Sequence, residues 1–311
     1  MPDKHQLQCM EIWGGNHFAE SCINLGGLDA WVYSRPYGGA KDGGDVHYLS
    51  SCATGRITRL LVADVSGHGE DVADTALALR QLMRRYVNFI SQTRFLKSLN
   101  QQFLNKSRQG RFATAVALSY FAPVNELRLC NAGHPHPLIF RKRTGQWELV
   151  QQDSSAEKEM SNIPLGVTGD VSYSEIHLRL NKDDMMLCYT DSLIEARLPD
   201  GSMLGESGLC ALLNSFTNLQ KQNLIAVLLE SISAQSPSGL THDDITALLI
   251  SPNNNDYKTP LHKKLVAPLV FAGNVLRSFK TGNTTIPWPE LTLQNIGGAM
   301  LDKLNRSKKG S

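Results

Sequence analysis

Three apolar runs in this chain, LLVAD, MMLCYTD and DDITALLI, each meet aspartate at one end. Runs of this length and composition read as core strands, so each anchors a carboxylate where a strand leaves the core. The segments around them pair as hairpins. The first 60 residues read as strands and turns, and VHYLSSCATGRITRLLVADV holds two strands around a turn at Ala53–Gly55. FATAVALSYF and LRLCNAG flank the turn APVNE, and PLIFRKR and WELV flank TGQ. Helical spacing occurs in two places. Val72, Ala76, Leu79, Met83, Tyr86 and Ile90 recur at three and four, and Phe95, Leu99 and Phe103 form one face of a second helix. Leu209 to Ile232 carries one or two more. Hairpins dominate over βαβ units, which points to an α+β fold rather than a doubly wound sheet.

Of the 311 residues, 41% are hydrophobic and 19% charged, which excludes a disordered chain and a charged coiled coil. The formal charge of +2 argues against a dedicated nucleic-acid binder. It conceals an asymmetry. From Ser251 onward there are nine Lys and Arg against three Asp and Glu, while 1–250 holds 22 basic and 26 acidic residues. SPNNNDYKTP reads as a linker, so the expected organisation is a body over 1–250 and a basic extension over 251–311. Within the extension, LHKKLVAPLVFAGNVLRSFK could form a basic amphipathic helix interrupted at Pro268. The six cysteines form no CxxC pair and read as buried, reduced thiols. The N-terminus lacks the apolar stretch of a signal peptide, and no run approaches the ~18 apolar residues of a membrane helix. The expectation is a cytoplasmic protein with no transmembrane segment.

Four segments place aspartate at a strand end or beside glycine: GGD at Gly43–Asp45, ADVSGHG at Ala63–Gly69, YTD at Tyr189–Asp191 and HDDIT at His242–Thr246. Any one alone fits a plain turn. Together they predict converging carboxylates. Two unit charges ~4 Å apart at an effective dielectric of ~20 repel by about 4 kcal/mol, so such a cluster holds protons or binds cations. Oxygen donors with few Cys or His suit hard ions such as Mg²⁺ or Mn²⁺.

RPYGGAKDGGD, LLVADVSGHGEDVA, LRLCNAGHPHPLI, IPLGV, MMLCYTDSLIEAR and HDDITALLI, in this order, resemble the metal-dependent serine/threonine phosphatases of the PPM (protein phosphatase 2C) superfamily. The resemblance is closest to the bacterial SpoIIE-like branch and covers about Trp31 to Ile250. It implies an αββα four-layer sandwich: two antiparallel sheets flanked by helices, with a C-terminal extension. It implies two Mn²⁺ or Mg²⁺ ions. Asp64 would contact both, helped by the backbone carbonyl of Val65. Asp45 would bind one ion, Asp191 the other, and Asp243 would complete the set, with Asp244 the less favoured of the pair. The implied reaction is attack of a metal-bridged water on the phosphorus of a phosphoserine or phosphothreonine. The implied partner is a phosphorylated regulatory protein such as an anti-sigma-factor antagonist. Whether the chain acts as a homodimer stays open.

His68 could protonate the leaving serine oxygen or bind phosphate, or order its turn. His134 and His136 read as a loop buttressing the site, and His242 as a neighbour of the carboxylates. Two departures from the family pattern stand out. Val46, His47 and Tyr48 follow GGD in place of two aromatics and an acid, and Ser192 replaces the glycine after the third aspartate. They support an alternative, a catalytically silent PPM-like binding module. GGD also occurs in diguanylate cyclases, but the Glu-Phe expected after it is absent. No GxxxxGK[ST] or GxSxG motif is present.

Overall fold

The computed structural model describes residues 3–6, 12–51, 55–67, 91–106, 111–151, 162–217, 220–236, 239–240 and 242–253, with Val72, Thr75, Ala76, Leu79, Gln81 and Leu82. The expectations for His68, for Met83, Tyr86 and Ile90, and for the extension beyond Asn253 fall outside these residues.

Thirteen strands occur among the described residues. They are β1 (Asp3–Gln6), β2 (Ile12–His17), β3 (Ala19–Leu25), β4 (Leu28–Arg35), β5 (Asp42–Ser51), β6 (Ile57–Val65), β7 (Ala113–Phe121), β8 (Glu126–Ala132), β9 (Leu138–Arg141), β10 (Gln146–Leu149), β11 (Glu175–Arg179), β12 (Met185–Tyr189) and β13 (Ile245–Pro252). One sheet has the order β1-β3-β4-β13-β12-β9-β10 and the other β11-β8-β7-β6-β5-β2. Every pair is antiparallel except β1 with β3, which is parallel. The expected hairpins β5–β6, β7–β8 and β9–β10 all form. The segment Leu209 to Ile232 divides between two helices.

Alternation along the strands builds three stacked cores. On β6, Leu60 and Val62 face the opposing sheet and pack with Val32, Leu248 and Ile250. The residues between them, Leu61, Ala63 and Val65, face outward onto Val72, Ala76 and Leu79, which are helical, and onto α1 (Gln92–Lys106). Phe95, Leu96, Leu99 and Phe103 supply the buried stripe of α1, the face read from sequence. The outer surface of the other sheet is covered by α2 (Gly205–Ser215) and α3 (Leu224–Gln235), through Leu209, Leu213, Leu224 and Leu228 against Leu187 and Tyr189. The result is helix, sheet, sheet, helix. Because strand faces alternate with period two, a one-residue slip of β6 would exchange its two cores, so burial on both sides fixes its register. Each fully buried Leu or Val contributes roughly 1.5–3 kcal/mol.

Candidate active site

The layer between the sheets changes chemistry toward one end. Along β6 the inward residues run Leu60, Val62, Asp64. Asp64 lies directly opposite Asp45 on β5 and Thr114 on β7. Directly opposed residues project from the same face, so Asp45, Asp64 and Thr114 form a row where the apolar filling stops. On the facing sheet, Leu248 pairs with Val32, and the next inward pair is Thr246 with Ser34. Their hydroxyls lie 3.0 Å apart. Thr190 follows β12 and donates its backbone N–H to the Thr246 carbonyl at 3.0 Å. Asp191 comes next, opening a single 3₁₀ turn, while Asp243 and Asp244 immediately precede β13.

A buried hydrogen-bond network joins the sheets here. The Thr190 hydroxyl donates to Asp45 Oδ2 at 2.9 Å and accepts the Thr246 N–H at 2.9 Å. Asp244 accepts the backbone N–H of Tyr37 at 2.5 Å and of Gly44 at 2.6 Å. That approach explains the glycine pair before Asp45. A Cβ on Gly43 would stand 2.5 Å from Asp244 Oδ1, and one on Gly44 would stand 3.0 Å from the Val65 carbonyl oxygen. The two adjacent aspartates therefore differ. Asp244 is buried and holds the β5 entry in place, whereas Asp243 is half-buried and accepts the Asp244 N–H at 2.8 Å.

The electrostatics follow from crowding. Asp64 is pushed up to about 8 by burial and then by the charges of Asp191, Asp243, Asp244 and Glu195. Asp191 is pushed up to about 6 by burial, Glu195 and Asp243. Burial, with Asp64 and Asp244, holds Asp45 well above the usual carboxylate range, and hydrogen bonds from Thr246 and Thr190 oppose this. Among the described residues, no three His, Cys, Asp or Glu side chains close on one point tightly enough to cage an ion unaided.

The structure thus brings Asp45, Asp64, Asp191 and Asp243 to one end of the sandwich, with Val65 ending β6 beside them. Glu195 joins them unanticipated by the sequence reading. It lies four residues after Asp191, and its N–H is bonded to the Asp191 carbonyl at 2.9 Å. His134 is buried, and burial pushes its imidazole down to about 3. Its Nδ1 lies 2.8 Å from the Thr114 hydroxyl. Asn131 brackets the His134 backbone at 2.8 and 2.7 Å. His136 is tied to α2 by its N–H to Glu206 Oε1 at 2.7 Å. The loop therefore joins β8, β9 and α2 beside the row. Val46 and Tyr48 lie on the far face of β5, packed in the helix-side core. Ser192 sits with its Oγ 3.5 Å from Thr190 Oγ1.

Two largely antiparallel sheets packed between helices are the fold shared with PP2C phosphatase domains. The PP2C phosphatase domain of SpoIIE from Bacillus subtilis, solved with a fragment of its regulatory domain, superposes with a TM-score of 0.59 at 15% identity, over 79% of this chain and 64% of that one. The family model for Stage II sporulation protein E (SpoIIE) matches residues 54–253, and the chain belongs to that family. Phosphoserine phosphatase RsbP of Bacillus subtilis (strain 168) is 25% identical over 141 residues, 44% of this chain and 33% of RsbP. Phosphoserine phosphatase RsbU of the same strain is 21% identical over 192 residues, 61% of this chain and 54% of RsbU. The chain thus spans about a third to a half of the length of these relatives. No helix among the described residues is long and apolar enough to cross a membrane.

Proposed function

We propose that this chain is a metal-dependent phosphoserine/phosphothreonine protein phosphatase whose substrate is a phosphorylated regulatory protein, with an anti-sigma-factor antagonist as the candidate. The observation that carries the reading is the facing of Asp45 and Asp64 across one strand pair, with Asp191 and Asp243 close enough to raise the Asp64 proton affinity. A repelling set of oxygen donors, short of nitrogen and sulfur, fits hard divalent cations. Mg²⁺ in particular keeps several waters and needs only one or two carboxylates, which suits a set that does not close into a cage. Asp45, Asp64, Asp191, Asp243 and the Val65 carbonyl would hold two Mn²⁺ or Mg²⁺ ions. Such ions supply an activated water and neutralise phosphoryl charge when bound.

The remaining roles belong to the chain itself. Thr190 fixes the rotamer of Asp45. Asp244 binds the Gly44 and Tyr37 amides and so sets where β5 begins. Asp64, shared by the whole set, is the residue on which hydrolysis depends most. His68, next in sequence to Gly67, is the candidate to protonate the leaving oxygen. The silent-module alternative rested on Val46–Tyr48 and Ser192. Neither departure removes a carboxylate, and Val46 and Tyr48 face away from the row. Phosphate release from a phosphoserine peptide tests the reading. Release in Mn²⁺ that stops in EDTA is expected, and a purified, folded protein that releases none in Mn²⁺ or Mg²⁺ would favour the silent module.

A further inference from the structure

Beside the carboxylate row opens a cleft of about 310 Å³ that reaches outward from Asp243. Ser192, Glu195 and Asp243 form its inner end, and Ala196, Arg197 and Met203 form one wall, with Leu240 and His242 opposite. That wall is a short hairpin. Arg197 and Met203 bridge, Leu198 N–H meets the Ser202 carbonyl at 2.8 Å, and Leu204 N–H meets the Ala196 carbonyl at 2.9 Å. Gly205 N–H closes its base on the Ile194 carbonyl at 2.8 Å. The wall is held before anything binds, which lowers the entropy lost on association.

The cleft is graded in charge. Glu195 and Asp243 place two carboxylates in the lining at the inner end. Arg197 reaches the other way, along the hairpin, with Nη1 3.3 Å from the Gly201 carbonyl. Among the described residues this exposed guanidinium forms no ion pair. The nearby acid of the hairpin, Asp200, is occupied by the Ser202 N–H and hydroxyl at 2.9 and 2.6 Å. Between the two ends lies apolar surface, with Met203 51% exposed and Ala196 and Leu240 buried beneath. Exposed methionine is an adaptable apolar contact.

We infer that this cleft reads the polypeptide flanking the phosphoserine, seating an apolar side chain on Met203 and an acidic side chain against Arg197. The inference rests on the phosphatase reading above and adds a substrate class to it: phosphoproteins acidic beside the modified serine. A lysine or arginine seated at the outer end would instead meet the Arg197 guanidinium, a like-charge contact.

The test uses the Mn²⁺-loaded full chain and two phosphoserine peptides that share a leucine beside the phosphoserine. One carries glutamates two to four residues away, the other lysines. The readout is the ratio of kcat/KM for acidic over basic peptide within each variant, so a general loss of activity cancels. Wild type is expected to favour the acidic peptide about fivefold, the attraction gained and the repulsion avoided at one exposed charge. Arg197→Ala should flatten the ratio, and Arg197→Glu should invert it. Met203→Asp should raise KM for both peptides by more than it changes kcat. A wild type without preference, or an Arg197→Glu ratio equal to that of wild type, would overturn the inference. Failure of wild type on p-nitrophenyl phosphate as well as on both peptides would instead overturn the phosphatase reading and this inference with it.

Discussion

Asp45 and Asp64 stand directly opposite one another on β5 and β6, at the point where the inter-sheet filling changes from apolar to ionic. Two carboxylates so placed bind protons more tightly folded than unfolded. The native state then carries the extra protons, so stability falls as pH rises. The contribution is fully present below the ordinary carboxylate value of about 4. For Asp64 it is lost as pH rises through about 8, and the neighbouring Asp191 loses its own contribution through about 6. A bound divalent cation replaces those protons. Thermal unfolding in EDTA and in Mn²⁺ should therefore diverge with pH, the Mn²⁺ gain being larger at pH 8.5 than at pH 5.5. A gain equal at both pH values would count against the cluster as the binding site.

The glycine before Asp45 gives a second expectation. In Gly43→Ala the new Cβ would lie 2.5 Å from Asp244 Oδ1, so Asp244 must leave its bonds to Tyr37 and Gly44. The change should cost about 1–3 kcal/mol, seen as a lower denaturant midpoint, together with most of the hydrolytic activity. Gly169→Ala is the matched control, since its Cβ would meet Leu104 at an ordinary 3.7 Å. Equal stability of the two variants would contradict the packing account.

Thr190→Val keeps the volume and removes the hydroxyl. Asp45 loses a donor and the Thr246 N–H loses its acceptor, both buried. An unpaired buried group costs about 1–3 kcal/mol. Losing the Thr190 bond also raises the Asp45 proton affinity further, so a cation must displace a more tightly held proton. The Mn²⁺ concentration for half-maximal activity at pH 7 should rise several-fold, and Thr190→Ser should restore it. No change in either stability or Mn²⁺ dependence would remove Thr190 from the account.

Much of this was legible because apolar strands end on the carboxylates. LLVAD, MMLCYTD and DDITALLI mark where β6, β12 and β13 stop being core, and GGD marks the entry to β5. The period-two alternation beyond the last apolar residue carried more than was read from it. Inward Thr246 and Ser34 occupy the positions next after Leu248 and Val32, which is the signal for the hydroxyl layer. Glu195 was missed because a 3₁₀ turn, rather than a helix or strand, brings it back to Asp191. The division of labour between Asp243 and Asp244 depends on amides of Tyr37 and Gly44, some 200 residues away, and no local pattern encodes it. The same holds for the parallel pairing of β1 with β3 and for β2 joining the sheet opposite its neighbour β3. The cleft joins residues 192–203 to 239–243, so it exists only once β12 and β13 are paired.

The most direct test of the central claim is Mn²⁺-dependent hydrolysis of a phosphoserine peptide by wild type and Asp64→Asn, beside their unfolding midpoints in EDTA. Asp64 carries the charge that Asp191, Asp243, Asp244 and Glu195 all act upon. Its removal should lower turnover by on the order of 10³-fold, several kcal/mol of transition-state stabilisation. The midpoint in EDTA should hold or rise, because one repelling charge is gone. An Asp64→Asn protein that is folded and retains more than about a tenth of wild-type turnover, or wild-type hydrolysis that persists in EDTA, would contradict it.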